Sequence, residues 1–234
     1  MKIVALSDTH GMHRKFKIPD GDLFIHAGDF TNVGELEQVK DFNDWLGELP
    51  HKYKVVIAGN HDLSLARAPE ITEPMLTNCT YLKDSGITLP PMEKHNDAGG
   101  YYSDIKIWGS PYTPYFMSDF WVFHKRGYNA LKEHWKQIPE GLDILITHGP
   151  PNRVLDQTIE GDYAGDQALL EKLYQLEEPP RYHLFGHIHE GYGCQVPLRH
   201  PGQWDGLQIR HANISAVDRA YKPRENPCIE FEIL

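Results

Sequence analysis

Hydrophobic and polar positions alternate along the chain in two rhythms. Short apolar runs at residues 2–7, 23–27, 55–57, 142–146 and 182–185 are rich in β-branched and aromatic side chains, the mark of strands buried on both faces. Between them, apolar residues recur at helical spacing. Val33, Leu36, Val39, Phe42, Trp45 and Leu46 predict a helix over 33–47 with Gly47 as its stop. Leu131, Trp135 and Ile138 predict one over 128–138, ended by Pro139, and residues 167–176 predict another, stopped near Pro179-Pro180. Pro69 and Pro74 leave room only for short helical pieces. Residues 80–83, 87–89 and 105–108 read as strands of a second, more irregular sheet, and the Pro90-Pro91 to Gly99-Gly100 stretch as a loop. The tail, through 207–211 and 229–233, alternates apolar with polar residues and predicts antiparallel strands on one face. With no repeat or linker, the pattern predicts one α/β domain over 1–234, two stacked mixed sheets between outer helices.

Composition narrows the partners. The chain has 234 residues, 40% hydrophobic, and a net charge of −10, so long DNA or RNA is an unfavourable partner. A small phosphorylated ligand stays open, because a local metal charge outweighs the global field. No apolar stretch nears ~18 residues, so no membrane span is expected. The first apolar run is too short for a signal peptide, which predicts a cytoplasmic protein. Cys79, Cys194 and Cys228 read as free, mostly buried thiols in a reducing compartment. Asn78-Cys79-Thr80 and Asn213-Ile214-Ser215 match the glycosylation pattern and read as chance. The 14 histidines ask for an explanation.

Candidate chemistry sits at the strand ends. Asp8 and His10, Asp29, Asn60 with His61, His148, and His187 with His189 each follow an apolar strand directly. In open α/β sheets ligands bind at the carboxyl ends of strands, and neighbouring ends lie ~5 Å apart. Carboxylates, imidazoles and an amide oxygen without thiolate suit Mn²⁺, which is favoured, or Fe or Zn²⁺, in a hydrolytic site. The set exceeds what one metal needs and suits two. Two divalent ions carry roughly +4, two carboxylates −2 and a bridging hydroxide −1, leaving about +1 to hold a phosphate oxygen.

This arrangement resembles the calcineurin-like metallophosphoesterase superfamily, whose pattern is D-x-H, G-D, G-N-H-D/E, a later His, then G-H-x-H. FNDWLGELPHKYKVVIAGNHD, IPEGLDILITHGPP and LFGHIHEGYG are similar to stretches of its MPPED-like subfamily. The resemblance implies a four-layer αββα sandwich. It also implies one metal on Asp8, His10, Asp29 and His189, and a second on Asp29, Asn60, His148 and His187, with Asp29 bridging. Some subfamily members carry Gly at the position of His187; here the set is complete. His61, in this family, is a proton or hydrogen-bond donor to the leaving group and not a ligand. The nucleophile is then a metal-bridging hydroxide. The implied function is hydrolysis of small phosphodiesters such as cyclic nucleotides; a phosphomonoesterase would use the same core, and a nucleotide-binding regulator with residual activity is the reading from another class.

Other residues stay open. His26 reads as a hydrogen-bonded core histidine, Asp62 as a turn carboxylate or an orienting one, and His211 and Asn213 as structural or as supports behind the metal ligands. The histidines outside the motifs read as surface or structural, and Arg14, Arg67, Lys125 and Arg126 as solvated. The aromatic stretch from Trp108 to Phe123 is part core. Its 111–114 loop, with Tyr112, is either core or a substrate wall beside Asn60 and His61. Oligomeric state is not legible.

Overall fold

A computed structural model of the chain describes residues 1–91, 104–195 and 209–233. In chain order it runs β1 (Lys2–Leu6), β2 (Leu23–Ala27), α1 (Leu36–Glu48), β3 (Tyr53–Ile57), α2 (Leu63–Arg67) and α3 (Pro69–Thr72). Then come β4 (Thr80–Leu82), β5 (Ser85–Leu89), β6 (Ile105–Ser110), β7 (Thr113–Pro114), β8 (His124–Lys125), α4 (Tyr128–Trp135) and β9 (Ile144–Thr147). The rest is α5 (Gln167–Gln175), β10 (Tyr182–Phe185), β11 (Gly193–Gln195), β12 (Arg210–Asn213) and β13 (Ile229–Glu232). Among the described residues, one sheet is ordered β13-β1-β2-β3-β4 and a second β11-β12-β10-β9-β6-β5. Both are mixed: β1 to β4 run parallel with β13 antiparallel at one edge, and β6, β9, β10 and β12 run parallel with β5 and β11 antiparallel at the edges.

The period of two along each strand builds the layers. Ile3, Ala5, Ile25, Val55 and Ile57 face the second sheet and meet Ile107, Ile144, Ile146 and Leu184 in a central core. The alternate residues, Val4, Leu6, Phe24 and Val56, face outward and are covered by Val39, Phe42, Trp45 and Leu46 of α1. On the far side, Trp108 and Leu145 are covered by Leu131 and Trp135 of α4 and Leu169 and Leu173 of α5. The result is helix, sheet, sheet, helix, as the resemblance implied. Each side chain so buried contributes ~1.5–3 kcal/mol, which explains why the strands read as unbroken apolar runs.

Four expectations change. Residues 80–82 join the first sheet, pairing parallel with β3, and not the second; Leu82 fills the central core, and the chain crosses to the second sheet only at Lys83-Asp84, where Asp84 has φ 49°. The tail strands part company: β12 runs parallel to β10 in the second sheet, and β13 pairs antiparallel with β1 in the first. Gly47 is no helix stop, because α1 runs to Glu48; it packs instead against the side chain of Asn78, just before β4, and Asn78 Nδ2 would lie 2.8 Å from a Cβ there. The three cysteines are free, as expected, but Cys194 is exposed and Cys79 and Cys228 are half-buried. The 92–100 part of the predicted loop and residues 207–208 lie outside the described residues. No helix among the described residues is long and apolar enough to cross a membrane.

Candidate metal centre

The parallel strands of both sheets end at one edge, and hydrogen bonds join their ends. Asp8 N donates to Gly28 O at 3.0 Å and His10 N to Asp29 O at 3.0 Å within the first sheet. Gly186 N donates to His148 O at 2.9 Å in the second. Ser7 N donates to Ile214 O at 2.9 Å, and Ala216 N to Ser7 O at 2.7 Å, across the two. Asp8, His10, Asp29 and His187 all take left-handed backbone, with φ of 54°, 43°, 54° and 67°. That conformation costs about 1–2 kcal/mol for an L-residue, and Asp and His tolerate it better than most. It breaks each strand abruptly, and such strain gathers at functional sites. The motif glycines are fixed by the same crowding. A Cβ at Gly59 would lie 2.2 Å from Asp29 Oδ1, and one at Gly186 would lie 2.0 Å from Asp8 Oδ2.

The predicted residues converge. Ligand atoms of Asp8, His10 and His189, of His10, Asp29 and His61, and of Asp29, His148 and His187 form three groups, each within 4.8 Å. His10 Nε2 is 3.3 Å from His189 Nε2, and Asp29 Oδ2 is 3.3 Å from His148 Nε2. Asn60 Oδ1 completes the set, 3.0 Å from the same nitrogen. The rings are aimed from behind. His148 Nδ1 lies 2.9 Å from Ala27 O and His189 Nδ1 lies 3.2 Å from Asp218 O, so each carries its hydrogen there and turns Nε2 inward. Asp8 accepts from Ser215 Oγ at 2.8 Å and from the His187 amide at 3.2 Å.

Electrostatics show what this cluster lacks. Burial pushes His10 down to about 4 and His187 to about 3, so both are neutral imidazoles with free lone pairs at neutral pH. Burial also works against charge on Asp8 and Asp29, yet the neighbouring histidines outweigh it and hold both carboxyls well below their ordinary range. His148 is raised to about 9 because Asp29 overcomes its burial. A proton there stands where a cation would serve better. Lone pairs and carboxylate oxygens face one another at contact distance, and among the described residues no Lys or Arg forms an ion pair with Asp8 or Asp29. This donor set fits divalent cations of intermediate hardness.

Residues 1–191 match the model of the calcineurin-like phosphoesterase family. The chain belongs to that family. This metallophosphoesterase is also 40% identical over 251 residues to human metallophosphoesterase domain-containing protein 1, covering 97% of this chain and 70% of the human one. It is 37% identical over 214 residues to a UPF0046 protein of Caenorhabditis elegans, with 82% of this chain and 70% of that one covered. Its fold matches that of TT1561 of Thermus thermophilus at a TM-score of 0.54 and 13% identity, over 95% of this chain and 96% of that one.

Several residues around the centre of this metallophosphoesterase escape sequence patterning. Asp62 is fully buried and accepts from Gly59 N at 2.8 Å within its own turn and from Thr31 N at 2.8 Å and Thr31 Oγ1 at 2.7 Å in the neighbouring loop, so it closes the turn and ties it to the loop after β2. Asn213 and Ser215 belong to the buried frame: Asn213 Nδ2 donates to Ile188 O at 2.7 Å, between His187 and His189, and Ser215 Oγ also lies 2.9 Å from Asn213 Oδ1. The glycosylation-like triplet at 213–215 is therefore closed to modification, and its polar pair at and just after the end of β12 is the signal that could have revealed it. His26 is the core histidine expected, 3.1 Å from Thr9 Oγ1. The aromatic stretch divides. Tyr112 packs on Phe123 and His134 in the outer cores, with no ring contact to the cluster among the described residues. Its place beside the site is taken by Phe116, 4.8 Å from the His187 ring, and Trp121, 4.1 Å from the His61 ring. Both are half-buried. Tyr221, which no motif singles out, touches His10 at 4.8 Å and His189 at 5.3 Å.

Proposed function

We propose that this metallophosphoesterase is a dinuclear enzyme that prefers small phosphodiesters such as cyclic nucleotides. Asp8, His10, Asp29 and His189 would hold one ion and Asp29, Asn60, His148 and His187 the other, with manganese favoured. When bound, the ions supply charge neutralisation of the phosphate and a water activated at neutral pH. The chain's own residues supply the rest. His61 Nδ1 lies 2.7 Å from Asn32 O, which fixes the ring, and leaves Nε2 facing the cluster 4.0 Å from Asp29 Oδ2. That nitrogen is the atom to carry a proton to the departing ester oxygen, which leaves poorly as an alkoxide. The observation that carries the reading is this imidazole, anchored at Nδ1 by Asn32 O with Nε2 turned toward a buried donor cluster.

Preference for diesters draws support from aromatic rings at two places. Phe116 adjoins the group containing His187, and Trp121 adjoins the group containing His61. A diester has an organic group on each side of phosphorus to meet them; a monoester has one. The net charge of −10 disfavours long polyanions.

The test is a side-by-side assay of metal-stripped protein reloaded with Mn²⁺ on bis-p-nitrophenyl phosphate and p-nitrophenyl phosphate. Faster cleavage of the diester is expected. Faster cleavage of the monoester would make the protein a phosphomonoesterase, and cleavage of neither with metal bound would favour a nucleotide-binding regulator. His61→Ala should keep its metal content and lose about 10²–10⁴-fold in turnover, most on alkyl esters. An unchanged alkyl-ester rate would remove His61 from the chemistry.

A further inference from the structure

Tyr221 lies beyond the part of the chain that matches the family model. It stands at the tip of a small hairpin closed by the Val217–Pro223 bridge. Within the tip, Asp218 N donates to Lys222 O at 2.9 Å, and Asp218 Oδ1 accepts from Ala220 N at 2.8 Å and Lys222 N at 3.0 Å. The hairpin is tied to the centre at its base. Asp218 O accepts from His189 Nδ1, and Arg224 Nη2 donates to His189 O at 2.8 Å.

The ring of Tyr221 is oddly employed. It belongs to none of the three hydrophobic cores. Among the described residues its ring contacts are all with histidines of the centre: His10 at 4.8 Å, His189 at 5.3 Å and His61 at 6.2 Å. It is 45% exposed, so much of the ring is open to solvent. Its backbone is left-handed, with φ 57°, where a bulky side chain is a genuine outlier. A residue chosen for that turn alone would be Gly or Asn. Burial does not explain the tyrosine, and turn geometry opposes it. Trp121 meets the same His61 ring at 4.1 Å and is likewise outside the cores.

The geometry points to Tyr221 as a specificity residue whose exposed ring, with Trp121, takes the planar aromatic group of the ester, a nucleobase or aryl ring, beside His61. This rests on the phosphoester reading of the centre but not on the preference for diesters. Stacking on an aromatic side chain discriminates planar groups from sugars without reading their edges.

The test uses equilibrium dialysis of the Mn²⁺-loaded full chain with adenosine 5′-monophosphate and with ribose 5-phosphate. Tyr221→Asn removes the ring and suits the left-handed backbone; Tyr221→Phe keeps the ring and removes the hydroxyl. Tyr221→Asn should weaken binding of the nucleotide about tenfold and leave ribose phosphate unchanged, and Tyr221→Phe should resemble wild type. Equal weakening of both ligands, no weakening, or an equal loss in Tyr221→Phe would overturn stacking by Tyr221. In parallel, wild-type cleavage of ribose 2′,3′-cyclic phosphate, which lacks a base, reports on the phosphodiesterase reading alone. Its failure with intact nucleotide binding would leave the stacking role standing, and failure of both phosphate ligands to bind would sink the two together.

Discussion

The one hydrogen bond of the His183 ring among the described residues decides its charge. Thr147 Oγ1 gives its hydrogen to Gly149 O at 2.7 Å, so it can only accept from His183 Nε2 at 2.8 Å. His183 Nδ1 is buried with no partner, so a second proton there would go unsatisfied. Burial, with His211 nearby, holds its pKa well below the ordinary value. The unfolded chain therefore binds a proton that the folded chain refuses. Stability contributed by this neutral histidine is full above the unfolded pKa, about 6.5, and falls below it by ~1.4 kcal/mol per pH unit. In chelator, His183→Gln, whose amide can still donate to Thr147, should lose less stability than wild type between pH 7 and 5, read from urea midpoints. An identical acid slope would show that His183 titrates normally. The same logic accounts for part of the histidine count, since His26 and His211 are buried and pushed down to about 3 and 4. Residue type alone does not separate these from His148 or His187. Position does: the site histidines follow a strand's last residue, whereas His183 and His26 stand inside β10 and β2. Ser215 had only its place beside a strand end as a marker, since its partner Asp8 is 207 residues away in sequence, and Tyr221 had none, because it sits in a hairpin tip and not at a strand end.

Loops after neighbouring strands must hold a common register if their ligands are to meet. Thr31 and Asp62 do this for the turns after β2 and β3, which carry Asp29 and Asn60. The Asp62 carboxyl is raised to about 7 by burial and by Asp29, against the pull of its donors, so it is sensitive to losing one. Thr31→Val removes the hydroxyl donated to Asp62 and leaves Gly34 N, 3.0 Å from that oxygen, without its acceptor. Orienting partners of metal ligands are worth about 10–100-fold in affinity, and that loss is expected for manganese by competition with a chelator, with far-UV circular dichroism unchanged. Wild-type affinity would show that the two turns hold register without it. Elements of this kind were legible where they were long or regular. The alternating faces of β1, β2 and β3 and the stripe of α1 follow from period alone. β4 went to the wrong sheet because only Lys83 and Asp84 separate it from β5, and a pattern of two reads the same in either sheet. β7, β8 and β11, at two or three residues, are too short to carry a period.

At the scale of the molecule, the centre is a seam. Asp8, His10, Asp29 and Asn60 come from the first sheet, and His148, His187 and His189 from the second. Close pairs that cross between them include Asn60 with His148 at 3.0 Å, His10 with His189 at 3.3 Å, Asp29 with His148 at 3.3 Å and Asp8 with His189 at 3.5 Å. Without a cation, these pairs bring lone pairs and buried carboxylates together with histidine protons as counter-charge. Metal binding should therefore join the sheets as well as furnish the chemistry. An ion that binds only the folded chain, at a free concentration a thousandfold above its Kd, adds about 4 kcal/mol. For a chain of this size that raises Tm by roughly 10 °C. Calorimetry of the stripped protein with and without Mn²⁺ should show that rise, and Asp29→Asn should abolish most of it, because Asp29 touches donors from both sheets. If the wild-type Tm does not move while manganese is bound stoichiometrically, the ions sit in a frame that the two sheets already hold shut through the central core and through bonds such as Ser7 N to Ile214 O and Ser215 Oγ to Asp8.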